Sequence, residues 1–201
     1  MKTALYILRH PIDGFWQMKY EKTGRTAHGV ILLALTVLAV IFNRQTRAFV
    51  FNNQYNVPLD LFKEISLVLL PVLLFCIANW AVTTLLDGKG TMQDIFLVAC
   101  YSLVPLILFL VATPLLSHLL SLNELAYLQL LDGVGYAWMG LMLFIGVQQV
   151  HEYTFGKMFI TLLLTVISAG ILIFIALLFF SLLQELGSFA YSIYREISLR
   201  I

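Results

Sequence analysis

The sequence is poor in charge. Asp, Glu, Lys and Arg make up 11% of its 201 residues, whereas soluble domains average about 25%. So few charged side chains cannot coat a water-soluble surface, and a hydrophobic content of 61% with a mean hydropathy of +0.92 indicates one integral membrane domain. The formal net charge of +1 argues against nucleic acid as a partner.

Cysteine is also scarce. Cys76 and Cys100 each lie in an apolar run and match no CxxC or metal-ligand spacing. We expect small buried side chains there, with a thiol function as the alternative, and the sequence predicts no metal and no other cofactor. The N-terminal apolar stretch 4–8 is interrupted by Arg9 and is too short for a signal peptide, so no cleavage is expected.

Motifs for catalysis are missing as well. His151-Glu152 begins an HExxH pattern, but position 155 is Phe, which excludes a zinc protease of that type. Neither a serine–histidine arrangement nor a pair of aspartates occurs within the apolar runs. The sequence therefore predicts a protein that is not an enzyme.

Long apolar runs are what the sequence does have. They predict an all-α fold: a polytopic membrane helical bundle with five transmembrane helices and an amphipathic N-terminal interfacial helix. We expect a lead-in over residues 1–26 and a transmembrane domain over 27–201. The predicted spans are about 27–43, 65–86, 95–116, 134–151 and 158–186.

The lead-in has the composition of a membrane-surface helix. His10-Pro11 predicts its start and Gly24 its end. It is either an anchor or partner-docking helix, or a plain approach to the first span. The residues predicted to meet lipid headgroups are Trp16, Lys19, Lys22 and Arg25.

The connectors and prolines carry further expectations. Residues 48–57 suggest a β-hairpin turning at Asn52-Asn53, and residues 122–131 a short interfacial helix ended by Asp132-Gly133. Pro105 and Pro114 free carbonyl groups one turn earlier, so the third span should face neighbouring helices at those points. Lys and Arg are more frequent on the side of the N-terminus, which predicts a cytoplasmic N-terminus and an external C-terminus.

The second and third spans are joined by a short polar connector, residues 87–91. Gly88 is expected to end one helix in the left-handed conformation, and Thr91 with Asp94 to cap the next as a capping box. Phosphate binding is the rival interpretation, but GxxxxGK[ST] is absent. The amide of Asn79 and the hydroxyl of Tyr101 could bond across this hairpin or satisfy carbonyls freed by proline, either as structural support or as part of a polar site.

Several of these segments resemble one known family. They are Pro11 with Gly14-Phe15-Trp16, Asn79-Trp80, Leu86 through Thr91, Tyr101 with Pro105, and His151 with Tyr153 through Lys157. Together they are similar to bacterial members of the Yip family, five-span proteins named after eukaryotic Ypt/Rab-interacting proteins. The resemblance implies a five-helix bundle with a cytoplasmic N-terminus in a bacterial plasma membrane. The eukaryotic Asp-Leu-Tyr-Gly-Pro motif is absent here, so Rab binding is not carried over.

The favoured function is a membrane scaffold or accessory subunit that binds other membrane proteins or organises lipid. The expected partners are membrane lipid and another membrane protein, which the resemblance suggests could be a transport system. The alternative is a component of a transporter or channel with a polar cavity open to the cytoplasm. The candidate ligand or partner residues are Asn79, Trp80, Asp87, Lys89, Tyr101, Gln148 and His151.

Overall fold

A computed structural model of the protein describes residues 2–52 and 57–198. Its α-helices are numbered in chain order, and two short 3₁₀ helices lie in the connectors Phe49–Phe51 and Leu122–Glu124. The α-helices are α1 (Lys2–Arg9), α2 (Pro11–Tyr20), α3 (Thr26–Thr46), α4 (Leu61–Leu85), α5 (Met92–Ser102), α6 (Val104–Ser117), α7 (Leu125–His151) and α8 (Phe155–Ser198).

Five helical segments are long and apolar enough to cross a membrane. They confirm the predicted all-α polytopic bundle, and each overlaps one predicted span. Over the described residues the segments are Thr26–Thr46, Leu61–Leu85, Met92–Ser117, Leu122–His151 and Phe155–Glu196.

The fourth span is longer than the sequence suggested. The separate interfacial helix predicted over 122–131 is wrong, because α7 continues through Asp132-Gly133 without a break. A glycine inside a helix costs only about 1 kcal/mol relative to alanine, which the apolar helix around it tolerates. The carboxylate of Asp132, inside this helix, pairs with Arg47 from the connector after α3.

The third span is broken at Leu103, where α5 ends and α6 begins with Pro105 in its first turn. Further along, Pro114 leaves the carbonyl of Leu110 without its usual helical donor. The side chain of Asn43 on α3 supplies one, with Nδ2 at 3.0 Å from that oxygen. The prediction that this helix faces a neighbour at Pro114 is thus confirmed.

The connector between α3 and α4 is held to the bundle by polar contacts. Arg44 of α3 donates to the carbonyls of Val57 and Pro58 at 3.2 and 3.3 Å and also pairs with Glu64 of α4. The amide of Ala48 donates to the hydroxyl of Ser117 at 2.8 Å. The first strand of the predicted hairpin is wrong, since Phe49–Phe51 forms a 3₁₀ helix. The rest of that hairpin prediction falls on residues 53–56, which lie outside the described residues.

The N-terminal helices pack into the bundle. Ile7, Phe15 and Met18 belong to one buried cluster with residues of α5, α7 and α8. The predicted start of the helix at Pro11 is confirmed, but its end is at Tyr20 rather than at Gly24. Gly24 instead permits close approach, because a Cβ there would lie 2.6 Å from the side chain of Met18.

Helix α8 returns along α4. The hydroxyl of Tyr153, just before α8, lies at the carbonyl of Leu86, and Thr165 farther along α8 meets Asn79. Rising numbers on α8 therefore match falling numbers on α4, so the two helices are antiparallel. From residue 173 onward every described side chain of α8 is exposed.

Candidate functional site

The candidate site lies where α4 turns into α5 and α7 turns into α8, an end of the bundle that we call the hairpin end. Helix α4 closes with the Gly88 amide donating to the carbonyl of Thr83 at 2.8 Å, as in a Schellman motif. Asp87 has φ of 54°, while no described glycine has a positive φ. The prediction that Gly88 adopts the left-handed conformation is therefore wrong, because Asp87 adopts it.

The two glycines of the connector are needed for space instead. A Cβ at Gly88 would lie 2.4 Å from Nδ1 of His151 and 2.8 Å from the hydroxyl of Tyr153. A Cβ at Gly90 would lie 2.5 Å from a side-chain carbon of Val150. The backbone of the connector therefore rests directly on the end of α7.

Thr91 starts α5 as predicted. Its side chain accepts from the amide of Asp94, and the Asp94 carboxylate accepts from the amide of Thr91 at 2.9 Å. This is a complete capping box, which satisfies amide groups that the first helical turn would leave unpaired. The connector therefore has a defined conformation at both of its ends.

The turn from α7 to α8 resembles the turn from α4 to α5 in its backbone conformation. Glu152 has φ of 56°, and the amide of Tyr153 donates to the carbonyl of Gln148 at 3.1 Å. The rings of His151 and Tyr153 stack with centroids 5.3 Å apart. Two hydrogen bonds then join the turns: Tyr153 donates to the Leu86 carbonyl at 3.1 Å, and the Gly90 amide to Nδ1 of His151 at 3.3 Å.

Glu152 is the electrostatic centre of this end. Its carboxylate accepts from Lys89 and from the hydroxyl of Tyr20, and Nζ of Lys19 lies 3.7 Å away. Lys19 also donates to the carbonyl of Val150 at 2.6 Å. The hydrogen bonds from Lys89 and Tyr20 lower the pKa of Glu152 to about 2. The same bond to Glu152 raises the pKa of Tyr20 above its usual value of 10.0.

Lys19 and Lys89 pair with this carboxylate, and three further basic residues lie close to them in the chain or against Tyr153; we call the five together the basic rim. Nζ of Lys157 lies 4.5 Å from the ring centroid of Tyr153, within the range of a cation–π interaction. Lys19 belongs to α2, Lys22 and Arg25 belong to the connector that follows it, and Lys89 belongs to the α4–α5 connector. The basic rim consists of Lys19, Lys22, Arg25, Lys89 and Lys157.

A family model for the Yip1 domain matches residues 5–192 of the chain. The chain belongs to the Yip1 family. No curated protein and no solved structure matches the sequence. Because the match begins at residue 5, the Yip1 domain includes the N-terminal helices, in agreement with their packing against α5, α7 and α8.

Some predicted site residues of this Yip1 protein come together at the hairpin end, and others do not. Asp87, Lys89 and His151 lie there. Trp80 is about half exposed on the outer surface of α4, away from the buried face of that helix. Gln148 contributes its backbone carbonyl to the α7–α8 turn.

Asn79 and Tyr101 are used in packing. Asn79 is 0% exposed, and its Nδ2 donates to Thr165 of α8 at 3.1 Å rather than to Tyr101. The predicted bond across the α4–α5 hairpin is wrong because α8 supplies the nearer partner. Tyr101 is 1% exposed within the cluster that also holds Phe15.

The N-terminal residues predicted to meet headgroups divide in two. Trp16 is exposed and stacks on Tyr20 with centroids 5.1 Å apart, and Lys22 and Arg25 are also exposed. Lys19 is turned inward to Glu152, a contact that sequence reasoning missed. The two residues are 133 positions apart, so no local pattern could have indicated it.

The groups at this end are backbone turns, a buried histidine and charged side chains. Within residues 2–52 and 57–198, no group of three or more His, Cys, Asp and Glu side chains is placed to hold a metal ion. His151 is buried, and its Nδ1 is occupied by the Gly90 amide. The site therefore combines a firmly held backbone with exposed positive charge.

Proposed function

We propose that this Yip1-family protein is a non-enzymatic scaffold or accessory subunit that binds another membrane protein at the hairpin end. The observation that carries the proposal is the basic rim, which stands on backbone turns locked to each other. Lys22 and Lys89 are exposed there, and the turns beneath them are joined through Glu152, His151 and Tyr153.

Such a surface suits a partner with an acidic segment next to the membrane. Complementary charge guides association and suppresses binding of wrong partners. Because the backbone of the rim is already ordered by the contacts of Gly88 and Gly90, little ordering entropy is lost on binding.

Co-purification after gentle solubilisation tests this role. The charge reversal Lys22→Glu changes the basic rim without removing a hydrogen bond that holds the turns. Lys63→Glu is the matched control, because Lys63 is an equally exposed lysine at the start of α4. We expect one membrane protein to co-purify with wild type and with Lys63→Glu, and to be lost with Lys22→Glu.

The rival function is transport through a polar cavity near Asn79, Tyr101 and Gln148. Purified protein in liposomes separates the two functions. Solute flux that Asn79→Leu abolishes, with no partner that depends on Lys22, would reject the accessory role. The bond from Asn79 to Thr165 favours a structural role for that amide, since it ties α8 to α4.

We also propose that the protein lies in a bacterial plasma membrane with the hairpin end in the cytoplasm and its C-terminus outside. The native cysteines Cys76 and Cys100 are buried, so single introduced cysteines can be labelled selectively. An impermeant maleimide should label Lys63→Cys in intact cells. It should label Lys89→Cys only after permeabilisation. Labelling of Lys89→Cys from outside would reverse the proposed orientation.

A further inference from the structure

A crevice of about 300 Å³ opens in the middle of the transmembrane bundle. Its floor is the broken third span, and its walls come from α3, α4 and α7. Nearly all of its lining side chains are apolar, and they come from the central turns of four candidate spans. Representative lining residues are Thr36, Val72, Ser102, Leu103, Leu106 and Met139.

The packing of the helices explains why this space is open. Helix α4 packs mainly on α3, α5 and α8, whereas α7 packs mainly on α2, α5 and α6. The crevice lies between α4 and α7. Helix α8 packs on the buried stripe of α4 at Asn79 through Thr165, and its described side chains are all exposed from residue 173 onward. The stripe continues toward Val72 and Val68, which line the crevice.

The surrounding solvent determines what can fill such a space. At this depth a membrane offers hydrocarbon and no water, and dry apolar cavities take up apolar ligands. Leu67 and Tyr136 line the crevice and are more than half exposed, so its mouth faces the bilayer. We propose that the crevice is a binding site for one acyl chain of a membrane lipid, which enters sideways between α4 and α7.

The floor contains one informative polar group. Among the described residues the buried hydroxyl of Ser102 has no hydrogen-bond partner, and it lines the crevice. Ser102 is ten residues from the start of α5, which is about 15 Å at 1.5 Å per residue and places it near the bilayer midplane. A lipid ester group does not reach that depth, so the bound portion is the hydrocarbon chain.

The test uses liposomes of phosphatidylethanolamine and phosphatidylglycerol that contain a phosphatidylethanolamine with a diazirine near the end of one acyl chain. After irradiation, labelled peptides are identified by mass spectrometry. We expect labelling around Leu103 and Leu106 to exceed, by several-fold, labelling of Leu163 and Val166, which are exposed on α8 at a similar distance from the hairpin end. Equal labelling of the two regions would overturn the proposal. The proposal would also fail if a second copy of the chain covers the crevice and the crevice residues stay unlabelled.

Two neighbouring residues of α4 give matched variants. Val72→Trp fills the crevice and should reduce its labelling to the level of α8, whereas Leu73→Trp lies outside it and should leave labelling unchanged. Met139→Trp fills the crevice from the opposite wall, and it replaces Val72→Trp in the test if Val72→Trp does not fold. Ser102→Ala should retain full labelling, because a hydrocarbon chain accepts no hydrogen bond. Loss of labelling in Ser102→Ala would assign a polar ligand instead and reject the acyl chain.

Discussion

At the hairpin end, single atoms decide how closely α4 and α7 approach. Gly88→Ala would place a Cβ 2.4 Å from His151, against a buried ring that is stacked on Tyr153. Overpacking of this kind costs about 1–3 kcal/mol, so we expect a lower free energy of unfolding in detergent-solubilised protein. Gly133→Ala is the control. Nothing lies within 4 Å of its Cβ, and helix propensity predicts a gain of up to about 1 kcal/mol. Equal effects of the two variants would contradict the close approach.

A second residue-scale prediction concerns the carbonyl that Pro114 frees. Asn43→Ala removes the donor to Leu110 and also the 3.1 Å bond to the hydroxyl of Thr113. Interhelical hydrogen bonds in membranes average about 0.6 kcal/mol and reach about 1.7 kcal/mol, and we expect a loss of unfolding free energy in that range.

A double-mutant cycle isolates this interaction. Pro114→Ala restores a backbone amide that can donate to Leu110 within the helix. In that background Asn43→Ala should cost less than it does in wild type. If the cost of Asn43→Ala is the same in both backgrounds, the amide of Asn43 does not compensate for the proline.

At the scale of helices, features that depend on nearby residues could be predicted from the sequence. The five spans follow from apolar length, and the capping box of Thr91 and Asp94 follows from residues three apart. It was harder to predict which residue adopts the left-handed conformation, because glycine is the usual choice and Gly88 lies beside Asp87. Gly88 is a glycine because α7 lies against it, and that contact joins residues far apart in the chain.

Long-range pairing limited the prediction of the candidate site in the same way. The packed bundle brings together three residues from separate parts of the chain: Lys19 of α2, Lys89 of the α4–α5 connector and Glu152 of the α7–α8 turn. The amphipathic pattern of α2 predicts a buried face but does not say whether lipid or protein covers it. Here protein does, because Phe15 packs into the bundle.

The packing of α2 gives a prediction at this scale. Phe15 is 0% exposed, and its neighbour Trp16 is 49% exposed. Phe15→Ala should lower the free energy of unfolding by about 3–5 kcal/mol, as for other buried phenylalanines. Trp16→Ala loses only the stacking contact with Tyr20 and should cost less than about 1.5 kcal/mol. Thermal unfolding of the two variants in the same detergent compares them. Similar losses would mean that α2 lies on lipid and not on the bundle.

At the scale of the whole molecule, Glu152 joins the N-terminal helices, the α4–α5 connector and the α7–α8 turn. Its pKa is lowered to about 2 by hydrogen bonds from Lys89 and Tyr20, below its usual value of 4.5. A carboxyl group whose pKa is lower in the folded state stabilises that state above its unfolded pKa. That contribution is lost as the pH falls from about 5 toward about 2, when the carboxylate takes up a proton.

We therefore expect the unfolding temperature of wild type to exceed that of Glu152→Gln at neutral pH. The difference between them should shrink as the pH is lowered from 6 to 3 and should not grow. Glu185→Gln removes a carboxylate from the exposed part of α8 and should keep the pH dependence of wild type. A Glu152→Gln protein that unfolds at the wild-type temperature across this range would show that the helix ends are held by packing and backbone bonds alone. In that case the contact of Gly88 with His151, and not the carboxylate, would be what fixes the basic rim in place.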